Sequence, residues 1–441
     1  MKQIKVEKLL YDTASGAGII NISDNDGGNS VLNIDFKPLL PFANLVKKEI
    51  LDFFTISASV YGIDRFVARK QNSVDGWSRE LKVSFPVHDI AKWNANKDHL
   101  NKLLSFLTGD YWDVSFRIVN LQLPYKDLDH EYLVSFEQVN LLSGGLDSLI
   151  GALDFLKSTN GKVLFVSHYD KQMHGPKGDQ KGIILEMEEM YPDRFVHIPS
   201  IRVTMDSTNV TKETTFRSRS LLFIGLALLA AQATDTSCII VPENGSVSLN
   251  YPLSASRRTS CSTRTTHPFV IETVLSIWNS LSITTSIHNP YEFKTKGEMV
   301  ASCEDQTNLV NLVTLSNSCG KRGHRAHWEE PTATHCGICM PCVYRQASLT
   351  TISDETSYGN SINSLAPFLK KKTQDVGACL DFLNRELTKE DIKQELIVNG
   401  VKNLSKLYEY VDVVWRTREE LRRWVNITGD DEVKLKAGLN D

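Results

Sequence analysis

Leu141-Leu142-Ser143-Gly144-Gly145-Leu146-Asp147-Ser148 decides how this chain is read. It follows an apolar, β-rich run, Tyr132 to Asn140, and opens into a helical pattern, Leu149 to Leu156. A strand, a Gly-Gly turn and a helix start leave bare backbone N–H groups at a positive helix terminus, which is the arrangement of an anion site. The glycines let backbone come close to a phosphate, and Ser143 and Ser148 add hydroxyl donors. Asp147 is the odd member, because a carboxylate repels phosphate. It fits as a helix cap, or as a ligand of Mg2+ carried by the phosphate. A Gly-Gly turn alone says little; the whole string in a strand–turn–helix setting says much more. The Walker A lysine pattern is absent, which argues against γ-phosphate transfer.

Outward from this stretch, the pattern from residue 132 to 346 alternates strand and helix. Strands are expected at Leu133–Leu142, Lys162–His168, Phe195–Ile198, Cys238–Val241 and Ser282–His288, with helices notably at Lys181–Tyr191 and Arg219–Ala233. That pattern predicts an α/β fold with a doubly wound parallel sheet. Ligands then bind at the carboxyl ends of the strands. The loops there supply Ser143–Ser148, His168-Tyr169-Asp170 and Pro242-Glu243-Asn244-Gly245.

The 441 residues are too many for one ordinary core, and two further regions are expected. Residues 1–131 read as an N-terminal α+β domain. It has alternating runs at Gly18–Ile22, Val31–Asp35 and Leu81–Pro86, helical patterns at Leu40–Phe54 and Trp93–Leu107, and a turn at Asp26-Gly27-Gly28. Trp77, Trp93 and Trp112 read as packing, and no catalytic constellation stands out there. Residues 347–441 read as a helical C-terminal region, with helices at Ile362–Leu369, Thr373–Leu387, Thr388–Val398 and Val411–Val425 and with Arg418, Arg422 and Arg423 solvated.

Composition narrows the class. Hydrophobic content of 41% and charged content of 23% are those of a globular protein, and a net charge of −4 gives no footprint for general nucleic-acid binding. The start, Met1 to Glu7, has no signal-peptide core, and the most apolar run, Leu221–Ala231, is too short to span a bilayer. No membrane partner and a cytoplasmic location are expected.

Of the eight cysteines, three fall within Cys336-Gly-Ile-Cys339-Met-Pro-Cys342. That spacing predicts a zinc knuckle over 319–342, with Cys319 as the fourth ligand and Cys336, Cys339 and Cys342 the others. His324, His327 or His335 is the alternative fourth ligand, and Cys303 the reserve. A closed four-thiolate site favours structural Zn2+ over an iron–sulfur cluster. Cys238, Cys261 and Cys379 are expected to be buried thiols.

The loop at Ser143–Ser148 followed by Cys319…Cys336-Gly-Ile-Cys339-Met-Pro-Cys342…Arg345 resembles the QueC-like family, the 7-cyano-7-deazaguanine synthases among the PP-loop (HUP-like) ATP pyrophosphatases. The resemblance covers roughly residues 136 to 348. His168–Gln172 resembles the family's Tyr-Gly-Gln segment, and Arg219 matches the arginine of its Gly-Arg-Asn. Asn250-Tyr251-Pro252 lies at its substrate loop, and Lys294-Thr-Lys296-Gly-Glu298 resembles the segment before its first metal cysteine. The family's Asp-Cys-Arg after Tyr-Pro is replaced by Leu253 to Arg258, and the Cys319–Cys336 loop is longer than usual. The added terminal regions, Glu243-Asn244-Gly245 and Arg264-Thr-Thr-His267-Pro268 are most similar to the QatC-type, QueC-like proteins of the Qat anti-phage defence systems.

The resemblance implies ATP with Mg2+ at Leu142, Ser143, Gly144, Gly145, Leu146, Asp147 and Ser148, with His168 and Tyr169 alongside. It implies catalytic roles for Asp147, Ser148, Arg219 and Lys171, and substrate contacts from Glu243, Asn244, Tyr251, Arg264 and His267. The implied reaction adenylates a 7-carboxy-7-deazaguanine-like molecule, releasing pyrophosphate, and passes it to an amine with loss of AMP. The altered loop at Arg257–His267 and the extra regions point to the N-terminus of a partner protein of the same defence system as that amine. The alternatives are a housekeeping synthase using ammonia and a non-catalytic nucleotide-binding module.

Overall fold

The computed structural model describes residues 1–173, 175–208, 212–213, 217–254, 264, 266–364 and 374–439. Its strands, in chain order, are β1 (Lys2–Val6), β2 (Leu10–Asp12), β3 (Ala17–Asp24), β4 (Asn29–Asp35), β5 (Glu80–Val87), β6 (Tyr111–Ile118), β7 (Gln138–Leu141), β8 (Val163–Val166), β9 (His168–Asp170), β10 (Phe195–His197), β11 (Ile201–Thr208), β12 (Cys238–Ile240) and β13 (Ser286–His288).

Five of them form a sheet in the order β10-β8-β7-β12-β13, and every neighbouring pair is parallel. Parallel neighbours need crossovers. Helices Leu146–Ser158, Pro176–Met190, Arg219–Ala233 and Pro268–Ser280 provide them. Strand β8, Val163–Val166, is apolar and buried on both sides because both of its faces are covered. Val163 and Phe165 of β8 pack with the first two helices, while Leu164 and Val166 pack with the last two. The expected parallel sheet with helices on both faces is therefore present. The chain winds outward from β7 to β10 and then reverses to β12 and β13. The crevice between β7 and β12 is the place where such a sheet binds ligands.

The other sheet has eight strands, in the order β6-β5-β1-β3-β4-β11-β9 with β2 on β3. Its β3–β4 hairpin turns at Asp24–Gly28, where the Asp24 carboxylate accepts from the N–H groups of Asp26 (2.9 Å) and Gly28 (2.8 Å). Two strands come from beyond residue 131. At Ser167 the chain passes from β8 in the parallel sheet to β9 in this one, and β10 and β11 are divided in the same way. One hydrophobic cluster runs from Ile4, Leu32 and Phe85 to Val139, Leu164 and Leu222. The expected division at residue 131 is thus not a division of the core.

Helix Lys48–Phe66 explains why. Every residue from Ile50 to Phe66 is buried, as is every residue from Leu221 to Ala231 in helix Arg219–Ala233, against which it packs. The run Leu221–Ala231 is apolar all round and belongs inside, whereas Lys48–Phe66 buries polar side chains that are bonded there, as Ser57 Oγ is to Phe53 O at 2.7 Å. The expected helix Leu40–Phe54 is two helices, Leu40–Leu45 and Lys48–Phe66, broken by extended backbone at Val46 and Lys47. Likewise Trp93–Leu107 resolves into Ile90–Ala95 and Lys97–Thr108 around Asn96.

The C-terminal helices include Gln374–Asn384, Lys389–Val398 and Leu407–Thr428. They share a core with Tyr251, Cys336, Cys339 and Cys342. Most of the expected helix Ile362–Leu369 lies outside the described residues. Arg418 corrects an expectation: it is buried, and Nη2 donates to the carbonyls of Leu383 (2.8 Å) and Arg385. Among the described residues, no helix is long and apolar enough to cross a membrane.

Candidate functional site

The loop after β7 is built by its own groups. Leu142 is fully buried, and its N–H donates to Val166 O at 2.9 Å, which fixes the loop's root beside β8. Gly144 has φ +86°, in the left-handed region, and a Cβ there would stand 3.3 Å from Asp179 Cβ and Gln180 Cγ. Gly145 is the N-cap residue of helix Leu146–Ser158. The Ser148 hydroxyl donates to Gly145 O (2.9 Å), so Ser143 Oγ, 3.1 Å away, donates to Ser148. Ser143 Oγ also accepts the Gly145 N–H at 3.3 Å. Both hydroxyls shape the turn.

Asp147 does not cap the helix. Its Oδ2 accepts from Asn244 Nδ2 (2.6 Å) and from the Asn244 N–H (3.3 Å), and its Oδ1 pairs with Lys296 Nζ. Asn244 is fully buried and caps the short helix Gly245–Ser248, where its Oδ1 accepts the Val247 N–H at 3.0 Å. Those two bonds fix its amide orientation. Lys296 is buried at the first position of helix Lys296–Ala301. A capping box of Thr295 and Glu298 sets that position: Thr295 Oγ1 accepts the Glu298 N–H (3.1 Å) and Glu298 Oε2 the Thr295 N–H (2.9 Å). The loops after β7 and β12 therefore meet at Asp147, in the crevice where the strand order reverses. A cation joins the positive end of helix Leu146–Ser158 there.

Gln180 fastens the other side. Buried in helix Pro176–Met190, it donates through Nε2 to Ser143 O (3.2 Å) and His168 O (3.1 Å). His168 is fully buried, and its Nε2 accepts from Arg219 Nε at 3.4 Å. Burial first, and then the Arg219 charge, hold the imidazole well below its usual pKa, so it is neutral at pH 7. Burial also lowers the pKa of Arg219. Asp170, next along, is taken up elsewhere: it pairs with Arg65 and accepts from Tyr61 Oη at 2.5 Å.

The remaining expected residues are distributed more widely. Lys171 has an exposed side chain, and its backbone N–H donates to Val203 O at 3.0 Å. Tyr169 stands on the outward side of β9, with Lys177 Nζ 5.6 Å from its ring centre. Glu243 is held by its backbone, whose carbonyl accepts from Asn289 Nδ2 at 2.7 Å. Tyr251 packs on Phe382, with ring centres 5.7 Å apart, in the C-terminal core. Arg264 lies 4.3 Å over the Phe106 ring and donates to Phe106 O at 3.1 Å. His267 is a fully buried cap for helix Pro268–Ser280: its Nδ1 accepts the Phe269 N–H at 3.2 Å, and burial lowers its pKa to about 3. Such an imidazole is a poor base at pH 7. Of the expected Arg257–His267 loop, only Arg264, Thr266 and His267 are among the described residues.

Cys319, Cys336, Cys339 and Cys342 converge, with all four sulfurs within 4.8 Å of one another. Cys336 and Cys342 Sγ are 3.8 Å apart, and Cys339 and Cys342 Sγ 3.4 Å. A disulfide would need about 2.05 Å. A tetrahedron with metal–sulfur bonds of about 2.3 Å has edges of about 3.8 Å. Backbone N–H groups of Cys336 and Cys339 point at Cys319 Sγ (3.3 Å) and Cys336 Sγ (3.2 Å), and Gly337 takes φ +80° to close the turn. The four thiols fit a metal such as zinc. The alternatives do not converge: His324 and His327 are exposed, His335 Nδ1 meets Thr334 Oγ1 at 3.0 Å, and Cys303 is buried in another cluster. Cys379 is a buried thiol as expected, Cys238 is only half-buried, and Cys261 lies outside the described residues.

One residue joins this cluster to the loop at Ser143–Ser148. The Asn317 N–H donates to Gly144 O at 2.9 Å, while its Oδ1 accepts the Cys319 N–H at 2.9 Å. Beneath them Arg345 is fully buried and donates to Val313 O (2.7 Å), Ser316 Oγ (2.9 Å) and Thr356 Oγ1 (3.0 Å).

No protein-family model matches this chain, and no curated protein matches it. Lys296, Gln180 and Asn317 were not among the expected site residues. Only Lys296 carried a signal, in Lys294-Thr-Lys296-Gly-Glu298, which reads from sequence as a lead-in to the cysteines.

Proposed function

We propose that the chain is an ATP-dependent, AMP-forming enzyme of the QueC-like PP-loop class, serving anti-phage defence. The observation that carries the reading is the junction at Asn317. Two motifs about 170 residues apart in sequence, Ser143–Ser148 and the four cysteines, share one wall through its bonds to Gly144 and Cys319. A pyrophosphate fits the positive end of helix Leu146–Ser158 beside Lys296. Asp147 is the residue that would hold Mg2+, which supplies charge neutralisation to the phosphates. The four cysteines would hold Zn2+, closed off from substrate and serving the fold.

In the proposed reaction a carboxylate oxygen of a 7-deazaguanine attacks the α-phosphorus of ATP. The bridging α–β P–O bond breaks, and pyrophosphate leaves towards Lys296 and the loop N–H groups. An amine then attacks the acyl carbon, the C–O bond to AMP breaks, and the amine gives up a proton as the amide forms. A protein N-terminal amine as acceptor leaves a conjugate as the product.

The test is incubation with labelled ATP, 7-carboxy-7-deazaguanine and candidate partner proteins, with products separated by charge and mass. AMP, pyrophosphate and a mass increase on a partner are expected. ADP would sink the mechanism, and free nitrile from ammonia alone would return the chain to the housekeeping class. One observation favours a second reading, a non-catalytic nucleotide-binding module: both carboxylate oxygens of Asp147 are already engaged by the protein. Full biological function in an Asp147→Ala variant would decide for it.

A further inference from the structure

The helical C-terminal region bears on the crevice at Asp147. Helix Leu407–Thr428 bonds to the neighbours of both residues that hold Asp147. On one side, Thr417 sends its own hydroxyl proton to Val413 O (2.7 Å), so at 2.5 Å it accepts from Ser246 Oγ. Ser246 belongs to the short helix that Asn244 caps. On the other side, Glu420 accepts from Thr295 Oγ1 and from the Gly297 N–H (3.1 Å), the two neighbours of Lys296. Arg416 adds a bond from Nε to Glu298 Oε1 at 2.6 Å.

The approach is close. A Cβ on Gly297 would stand 2.5 Å from Glu420 Oε1 and displace that carboxylate, and one on Gly245 would stand 3.0 Å from Val413 Cγ1 of the helix, besides meeting Glu292 O at 2.3 Å. The contacts close into a ring. It runs Asp147, Lys296, Gly297, Glu420, along the helix to Thr417, then Ser246, Asn244 and back to Asp147.

We infer that helix Leu407–Thr428 is part of the phosphate site, and that Glu420 and Thr417 are positioning residues that set Lys296 and Asn244 against Asp147. This rests on Ser143–Ser148 being a phosphate site and not on the identity of the reaction. Glu420 touches no substrate; it acts through Lys296. Its carboxylate takes two neutral donors flanking the lysine, so truncation frees the turn that aims the ammonium.

Two measurements on the full chain decide it. Calorimetric titration with inorganic pyrophosphate and Mg2+ should show about tenfold weaker binding in Glu420→Ala, with most of the loss restored in Glu420→Gln, which keeps an acceptor. Amide hydrogen exchange without ligand should quicken at 146–149 and 244–248 as well as at 295–298, while β1 stays protected. Thr417→Val, which keeps the shape, should quicken 244–248 and 146–149 should folding of Glu420→Ala fail. Exchange confined to 295–298, or equal losses in Glu420→Ala and Glu420→Gln, would overturn the inference. Should the unaltered protein bind no pyrophosphate, the phosphate reading falls, and unchanged exchange at 146–149 would still overturn the positioning role.

Discussion

The N–H of Asn317 donates to the carbonyl of Gly144 at 2.9 Å. Gly144 is the loop's left-handed residue, and Asn317 is two residues from the first of four converging cysteines. The bond makes the shape of the loop depend on the path of the chain into the cysteine cluster. A peptide carbonyl cannot be mutated away, but everything that places the Asn317 N–H can be.

Cys339→Ser is therefore expected to act at two places. Metal content, measured by mass spectrometry of the purified protein, should fall from about one zinc per chain towards zero. Pyrophosphate affinity should fall with it, because the segment from Ser316 to Cys319 loses its anchor. A metal-free protein that is fully folded and binds pyrophosphate normally would count against both statements.

Lys296→Met removes the cation at Asp147 while keeping much of the side chain's volume. A charge-assisted hydrogen bond is worth about 1.5–3 kcal/mol, so pyrophosphate binding should weaken roughly 10- to 100-fold. Zinc content should not change. Titration of the variant checks this; unaltered affinity would place the anion elsewhere.

Gly144→Ala tests the loop's backbone. An L-residue in the left-handed region costs about 1–2 kcal/mol, and the new methyl group would press on Asp179 and Gln180 at 3.3 Å. A loss of unfolding free energy of that order, read from a denaturant titration, is expected, with loss of nucleotide binding. An Ala variant of wild-type stability would mean the loop can leave φ +86° without penalty.

His267 makes stability depend on pH. Its imidazole is buried and protonates only at about pH 3, whereas in the unfolded chain it takes a proton near 6.5. Between those values the unfolded state binds one more proton, so stability falls as pH drops, by up to about 1.4 kcal/mol per unit from this group alone. Above pH 7 it contributes no slope. His267→Asn keeps a capping side chain and should flatten the acid limb of a denaturation-midpoint profile by about one proton. An unchanged profile would show that His267 does not set it.

The parallel sheet was legible because a buried strand such as Val163–Val166 is short, apolar and followed by a helical period. The four cysteines were legible because metal ligands come in fixed spacings. What escaped belongs to contacts between distant segments. Lys296 reads only as part of a lead-in to the cysteines; the Thr295–Glu298 capping box sets it at the helix start, where it meets Asp147. Gln180 lies in a half-polar helix with nothing to mark it out. β6 and β11 do alternate, with Trp112 and Val114, and Val203 and Met205, buried, but alternation does not say which sheet a strand joins. Arg418 reads as solvated because its partners are carbonyls, which sequence does not display.

The crossing of the chain at Ser167 from one sheet to the other has a practical consequence. The connection from Val119 to Asp129 is irregular and partly exposed, with Tyr125 74% accessible, so a protease could cut it. The two pieces would not part. The larger one carries β9 and β11, which complete the smaller one's sheet beside β4, and the Lys48–Phe66 helix, buried from Ile50 to Phe66, packs on helix Arg219–Ala233 of the larger. A cleaved sample should run as two bands when denatured and as a single particle when native. For anyone wishing to trim this protein to a minimal core, the first 131 residues are not a removable attachment but one half of an interlocked pair.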